Sequence, residues 1–229
     1  MSLIPTNDIF IVALPAVQSL TLKLAGDQEN KLRLICILSF LSQYPVSEDY
    51  FKEYAGQSGC HWRSIFRVDG LWSHLKFIRH FQELEDLSLG SWVAHGTVVL
   101  FKFRADAREF RHLAFNLAQQ QDGFIEAIRL LGSYAKSISR ASRFARTDMH
   151  LVGHVDVCLD AEANLFGDAG QGVIKERDSL KLLGEFYQEM GRYRDAEILY
   201  HLILGMDYNL QRDPGIQGLL DSLGVVLDL

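Results

Sequence analysis

The sequence predicts a mainly α-helical protein with one small β-hairpin in its first half and stacked helical pairs in its second. Three observations predict it. Apolar residues recur at helical spacing over most of the chain from Lys31 onward. The period drops to two only across residues 87–103. Glycines and a proline then cut the C-terminal half into segments the length of ordinary helices. With 229 residues, 48% of them hydrophobic and 23% charged, the chain can bury a sizeable core.

Residues 1–30 leave two readings open. Leu20, Leu22 and Leu24 alternate like a strand, whereas Val17, Leu20 and Leu24 fit a helix face. Residues 32–41 are apolar nearly all round, which predicts a buried helix ended by Pro45. Ser47 reads as an N-cap before the acids Glu48 and Asp49, with Gly56 as the stop. Residues 71–87 form an amphipathic helix in which Leu71, Leu75, Ile78, Phe81 (with Phe77) and Leu84 face one way. Residues 87–94 and 97–103 are β-prone around His95-Gly96 and predict a hairpin. Three helices followed by a two-stranded wing make a winged-helix pattern. Helices are then expected over 106–121, 124–143, 148–164, 173–190, 193–205 and 214–229, separated by Gly123, Gly167, Gly170, Gly172, Gly191 and Pro214. The division is an N-terminal segment (1–30), a winged-helix-like domain (31–104), a helical linker or arm (105–171) and a repeat region (172–229).

The repeat region carries the sharpest pattern. Leu183 and Tyr187 are four apart and share a helix face, and Gly184 lets a neighbouring helix come close. Gly191 closes that helix, because glycine takes positive φ without steric cost. Tyr193, Ala196 and Tyr200 follow, Ala196 and Tyr200 again four apart, small beside large. These seven residues resemble a tetratricopeptide repeat, a helix-turn-helix unit that stacks into a superhelix and binds other proteins. Leu180 and Leu183-Gly184 return forty residues later as Leu220 and Leu223-Gly224, a period similar to the longer repeats of kinesin light chains. One repeat is complete. The second stops at Leu229 before its second helix, so a face there is expected to fray or to be covered by a second copy in a homodimer. The resemblance implies a protein or peptide ligand held by exposed positions of the concave first helix, here Lys181, Glu185, Gln188 and Glu189.

The order of parts extends the likeness. The apolar helix and its sequel at 34–51, the helix end at 83–89, the hairpin, the helix around 150–159 and the turn at 191–197 resemble proteins of the STAND class. Those pair an NB-ARC-type nucleotide switch with tetratricopeptide repeats through a winged helix and a helical arm. The resemblance implies a regulatory or sensor arm whose switch domain is supplied elsewhere. One departure is plain: the family often has a His near the end of the second wing strand, and this strand ends Phe101-Lys102-Phe103-Arg104.

Charge and chemistry narrow the function. Net charge is −2 over residues 1–30, +2 over 31–104, +3 over 105–146 and −9 over 147–229. An acidic repeat region argues against nucleic acid there and suits a basic partner or the chain's own basic middle. Arg129, Lys136, Arg140 and Arg143 form a basic stripe, either a solvated face or a docking face for acidic groups. The longest apolar run, Ile9 to Val17, is too short to span a membrane and follows no basic stretch, and three widely spaced cysteines fit a reducing compartment, the cytoplasm. No cofactor is expected. Gly167 to Gly172 has phosphate-loop glycine spacing but Val173 where a lysine is needed. His150, His154, Cys158 and Glu162 share a helix face but climb too far to meet one metal ion. Ser133-Tyr134-Ala135-Lys136 lacks the companion motifs of serine acylases. The reading is a non-catalytic protein-interaction module. The alternative is a winged-helix DNA-binding regulator with a helical dimerisation arm, against which the helix at 71–86 mixes Lys76 and Arg79 with Glu83, Glu85 and Asp86.

Overall fold

The computed structural model describes residues 28–55, 61–96, 98–104, 109–141, 149–166 and 176–205. These form α1 (Gln28–Leu38), α2 (Glu48–Ala55), a 3-10 turn (His61–Phe66), β1 (Arg67–Val68), β2 (Leu71–Trp72), α3 (His74–Asp86), β3 (Gly90–His95) and β4 (Val98–Phe103). There follow α4 (Glu109–Ala114), α5 (Leu117–Ala141), α6 (Met149–Asp160), α7 (Glu162–Phe166), α8 (Arg177–Glu189) and α9 (Tyr193–Gly205). The protein is mainly helical with a small antiparallel hairpin, as the apolar periods predict. Residues 1–27, the glycine-spaced stretch 167–172 and the expected helix 214–229, with its echo of the repeat, lie outside the described residues.

Surroundings explain why the second half of α1 is apolar. Leu34, Ile35, Ile37 and Leu38 are at most 1% exposed, with α5 against one side and the 3-10 turn against another. The chain then turns, and Val46 exchanges both backbone hydrogen bonds with Phe101 of β4, at 2.8 and 3.0 Å. Helix α2 begins at Glu48, but Ser47 does not cap it: its buried Oγ makes no hydrogen bond. Glu48 itself is turned toward Trp72 Nε1 and His74.

Helix α3 departs from the expected register. Leu71 lies in β2, paired with Val68 across the turn Asp69-Gly70, whose φ values of +50° and +80° match a mirror-image hairpin turn. The helix starts after Ser73, whose Oγ accepts the Lys76 N–H at 3.3 Å. Phe77, Phe81 and Leu84 are buried, whereas Leu71 and Leu75 are 75% and 79% exposed. Both phases are apolar in sequence, and aromatic mass decides between them. The Phe81 ring centroid lies 4.3 Å from Phe77, 4.9 Å from Phe101 and 5.2 Å from Phe51. The β3–β4 loop closes one residue later than expected: His95 pairs with Val98, and Gly96 opens the turn.

Helix α5 is the spine. Expected as two helices parted at Gly123, it runs 25 residues unbroken. Its start is a reciprocal capping box: Asn116 Oδ1 accepts the Gln119 N–H and Gln119 Oε1 accepts the Asn116 N–H, both at 3.0 Å. Gly123 is a contact point, since a Cβ there would run into Cys36 Sγ of α1. At Gly132 a Cβ would lie 3.0 Å from Ser179 Cα of α8. One helix therefore packs against α1, α2, α6, α7 and α8, and buried apolar residues from Leu34 to Ile203 form a continuous core.

Candidate functional site

Helices α8 and α9 form a close-packed hairpin. Gly191 has φ +71°; its N–H meets Gln188 O at 2.9 Å, and the Arg192 N–H meets Tyr187 O at 2.8 Å. This left-handed turn caps α8. Leu183, Tyr187, Ala196 and Tyr200 are buried, and the Tyr200 ring covers Gly184. Tyr193, grouped with the packing residues from sequence, is instead 39% exposed. It lies in the first turn of α9, beside the connecting turn rather than opposite the body of α8.

Of the four residues expected to meet a ligand, Glu185 and Glu189 are exposed on α8. Lys181 Nζ is 3.9 Å from Glu185 and shares its charge. Gln188 is half-buried, and its Oε1 accepts the Tyr200 hydroxyl at 2.8 Å, which braces the hairpin. The basic stripe divides as well. Arg129 Nη2 and Nε grip Glu176 at 2.6 and 2.8 Å, and Nη1 reaches Glu126 at 3.0 Å. The bond to Glu176 holds its guanidinium above the ordinary arginine range. Tyr54 of α2 donates to the other Glu126 oxygen at 2.6 Å, so this cluster joins α2, α5 and the start of α8. Lys136 is exposed. The Arg140 side chain and Arg143 lie outside the described parts.

Helix α6 disperses its His and Cys residues. His150 stacks on Tyr44 with centroids 5.5 Å apart, and Cys158 is buried, which pushes its thiol up. His154 is fully buried, and its Nδ1 accepts the Ser42 N–H at 3.1 Å, so that nitrogen carries no proton. Ser42 Oγ lies 2.9 Å from the same nitrogen, a Ser–His pair invisible in sequence because 112 residues separate its members. The hydroxyl also accepts the Tyr44 N–H at 3.2 Å, and Ser42 is only 4% exposed. The pair joins the 42–44 loop to α6. Ser133 Oγ donates to Arg129 O at 2.7 Å.

Beside that joint opens a cleft of about 510 Å³ between the 42–44 loop, α6 and Arg192. Tyr44, 47% exposed, lies over Gly153, where a Cβ would strike its ring. Asp156 accepts the Tyr187 hydroxyl at 2.6 Å and Arg192 Nη1 at 3.2 Å, while Arg192 Nε donates to Asp195 at 2.6 Å. Burial, then Asp156, pushes the Tyr187 phenol up. A second cleft, about 470 Å³, runs between α1 and α5, with Leu32, Ile37, Phe115 and Ile125 as apolar walls. Burial pushes the Cys36 thiol there up to about 12, which leaves little thiolate for chemistry.

On α3 both cations are engaged within the fold. Lys76 Nζ donates to Arg67 O at 2.6 Å, and Arg79 lies 3.6 Å from Glu83. Among the described residues no helix is long and apolar enough to cross a membrane. No family model, no curated protein and no solved structure matches the chain.

Proposed function

We propose that the chain is a non-catalytic protein-interaction module, the regulatory or sensor arm of a STAND-type signalling protein whose nucleotide switch is supplied elsewhere. The observation that carries this reading is the α8–α9 hairpin: Tyr200 seated on Gly184, Ala196 buried, and Gly191 turning the chain at positive φ. That packing is what a tetratricopeptide-like pair needs, and it leaves Glu185 and Glu189 outward. The winged-helix-like reading of residues 31–104 draws support from the Val46–Phe101 bridge, which adds a third short strand position to the β3–β4 wing.

The DNA-binding alternative shares that wing but asks α3 to present free positive charge. Lys76 is turned inward, Arg79 makes one loose pair with Glu83 at 3.6 Å, and exposed Leu75 is apolar. Protein recognition fits this surface better. Peptides selected by display against the whole chain should lose affinity on Glu185→Lys, and duplex DNA at low salt should show no gel shift. A duplex shift removed by Arg79→Ala would replace this reading with the DNA-binding one.

A further inference from the structure

The cleft beside the 42–44 loop has a composition that selects a ligand. One wall is the Tyr44 ring, stacked on His150 and open on its outer side at 47% exposure. Met149, 58% exposed, and Val157 supply apolar surface at either end of α6. The charged wall is Asp156, whose side chain is 45% exposed, with Arg192 beyond it. A carboxylate offers about four lone-pair positions. Tyr187 uses one on Oδ1 and Arg192 one on Oδ2, so Asp156 has room for further donors. Arg192 has no such reserve of charge: its guanidinium faces two carboxylates, Asp156 and Asp195, and also lies 4.8 Å from the Tyr187 ring centroid. Asp156 and Arg192 are the charged residues lining the cleft, and Arg192 is also paired with Asp195 outside the lining, which leaves negative charge in excess, within a third of the chain that carries a net −9. An anion would meet the Asp156 carboxylate there, whereas a cation meets both a counter-charge and an aromatic face.

We infer that this cleft takes a cationic side chain, arginine above all, of a basic peptide. The guanidinium stacks on Tyr44 and donates to Asp156, while its alkyl stem lies along Met149 and Val157. Arginine suits the site better than lysine because a planar group can stack and donate at once. This rests on the reading of the chain as a protein-interaction module and gives that module a partner chemistry. The sequence signal was present only as net charge; Tyr44 and Asp156 are too far apart in the chain to read as a pair.

The test is fluorescence anisotropy of the whole chain with a labelled short peptide alternating Arg, Ser and Leu, beside a Lys version and a Glu version. The Arg peptide should bind best, the Glu peptide not at all, and affinity should fall as salt rises. Tyr44→Ala removes no charge, yet it should weaken the Arg peptide by roughly tenfold, the range of a partly desolvated cation–π contact. Asp156→Asn should weaken it at least as much; since that change also touches Tyr187 and Arg192, its fold is checked by a urea melt. Glu53→Gln removes the same charge from the exposed face of α2, away from both surfaces, and should leave binding unchanged. Affinity unaffected by Tyr44→Ala but lowered by Glu185→Gln would overturn the cleft while leaving the interaction module standing. Binding lowered equally by every charge change, and not by Tyr44→Ala, would mean diffuse electrostatics and also overturn it. No binding of any peptide, together with a duplex DNA shift, would remove both readings.

Discussion

Replacing Gly184 by alanine sets two known effects against each other, and the sign of the result tests the hairpin packing. In an open helix the change stabilises by about 1 kcal/mol, through chain entropy alone. At Gly184 the new Cβ would stand 2.6, 2.9 and 3.2 Å from Cε1, Cζ and Cδ1 of Tyr200. Carbon atoms prefer about 3.5–4.0 Å, so the ring must withdraw by about 1 Å. It has little room to do so: Tyr200 is fully buried, and its hydroxyl is held by Gln188 at 2.8 Å. Overpacking of this kind costs about 1–3 kcal/mol, and a weakened hydroxyl bond adds about 0.5–1 kcal/mol. The helix term offsets part, leaving a net loss of about 1–2 kcal/mol. Urea denaturation reads it as a lower midpoint at unchanged m value. Tyr200→Leu removes the ring that the methyl strikes, so the double variant should cost less than the sum of the singles by about 1 kcal/mol. A Gly184→Ala protein as stable as the parent, or more so, would show that the helices do not approach as closely as described.

Three further outcomes follow from single contacts. Ala196→Trp should cost about 1–3 kcal/mol by overpacking, because Ala196 is fully buried, while Glu189→Trp on the exposed face should cost little; equal effects in a denaturant melt would count against the repeat alignment. Glu176→Gln leaves Arg129 without its main counter-charge; the 38% exposure of the Arg129 side chain lets water take over, so a loss of about 1–2 kcal/mol is expected, below the 3–5 of a sealed pair. Burial holds His80 below its ordinary 6.5, so the unfolded chain gains a proton that the folded chain refuses, and stability should fall as pH drops through about 6.5 and level off below the folded value. Burial raises Glu83, but its bond to Lys31 with the nearby charges outweighs that and leaves it below its ordinary 4.5, so a second loss follows as pH falls through that lowered value. Urea melts across this range check both, and His80→Gln should flatten the upper step.

What could be read in the sequence, and what could not, follows from the range of each signal. Gly191 and the Leu183–Tyr187 spacing are local, and the turn and buried face stand where those residues put them. The start of α5 was equally local, written as Asn116 and Gln119 three apart, yet Gly123 was taken for a break. A glycine inside a helix has two uses, and only the position of Cys36, far away in the chain, says which applies. The Asp69-Gly70 turn was also legible, but the helix expected from Leu71 starts three residues later, at His74, because Leu71 and Trp72 pair with Val68 and Arg67 across that turn. The phase of α3 was not legible, since Leu75 and Phe77 are both apolar and the choice is made by Phe51 and Phe101 packing around Phe81. For the same reason the Gln188 bond was not legible: its partner Tyr200 lies on another helix.

The contacts between distant segments say which parts of this chain are coupled. Two polar clasps tie the α8–α9 hairpin to the rest. One runs from Tyr54 through Glu126 and Arg129 to Glu176 at the start of α8. The other runs from Asp156 on α6 to Tyr187 and Arg192 on either side of the Gly191 turn. The hairpin is thus held at both ends of α8, and its middle rests on α5 at Gly132. On the proposed reading a cation that donates to the remaining Asp156 lone pairs shares the carboxylate's charge with Arg192 and so weakens the second clasp. Losing one clasp while keeping the other favours a pivot about the Glu176 end over release of the whole hairpin. A binding event can shift such an equilibrium only by its difference in affinity for the two states, and on the proposed reading the Asp156 carboxylate is where that difference would arise. Asp156→Asn should therefore raise amide exchange around residues 187–196 more than around 177–180, and uniform exchange along α8 would show that the two clasps do not act separately.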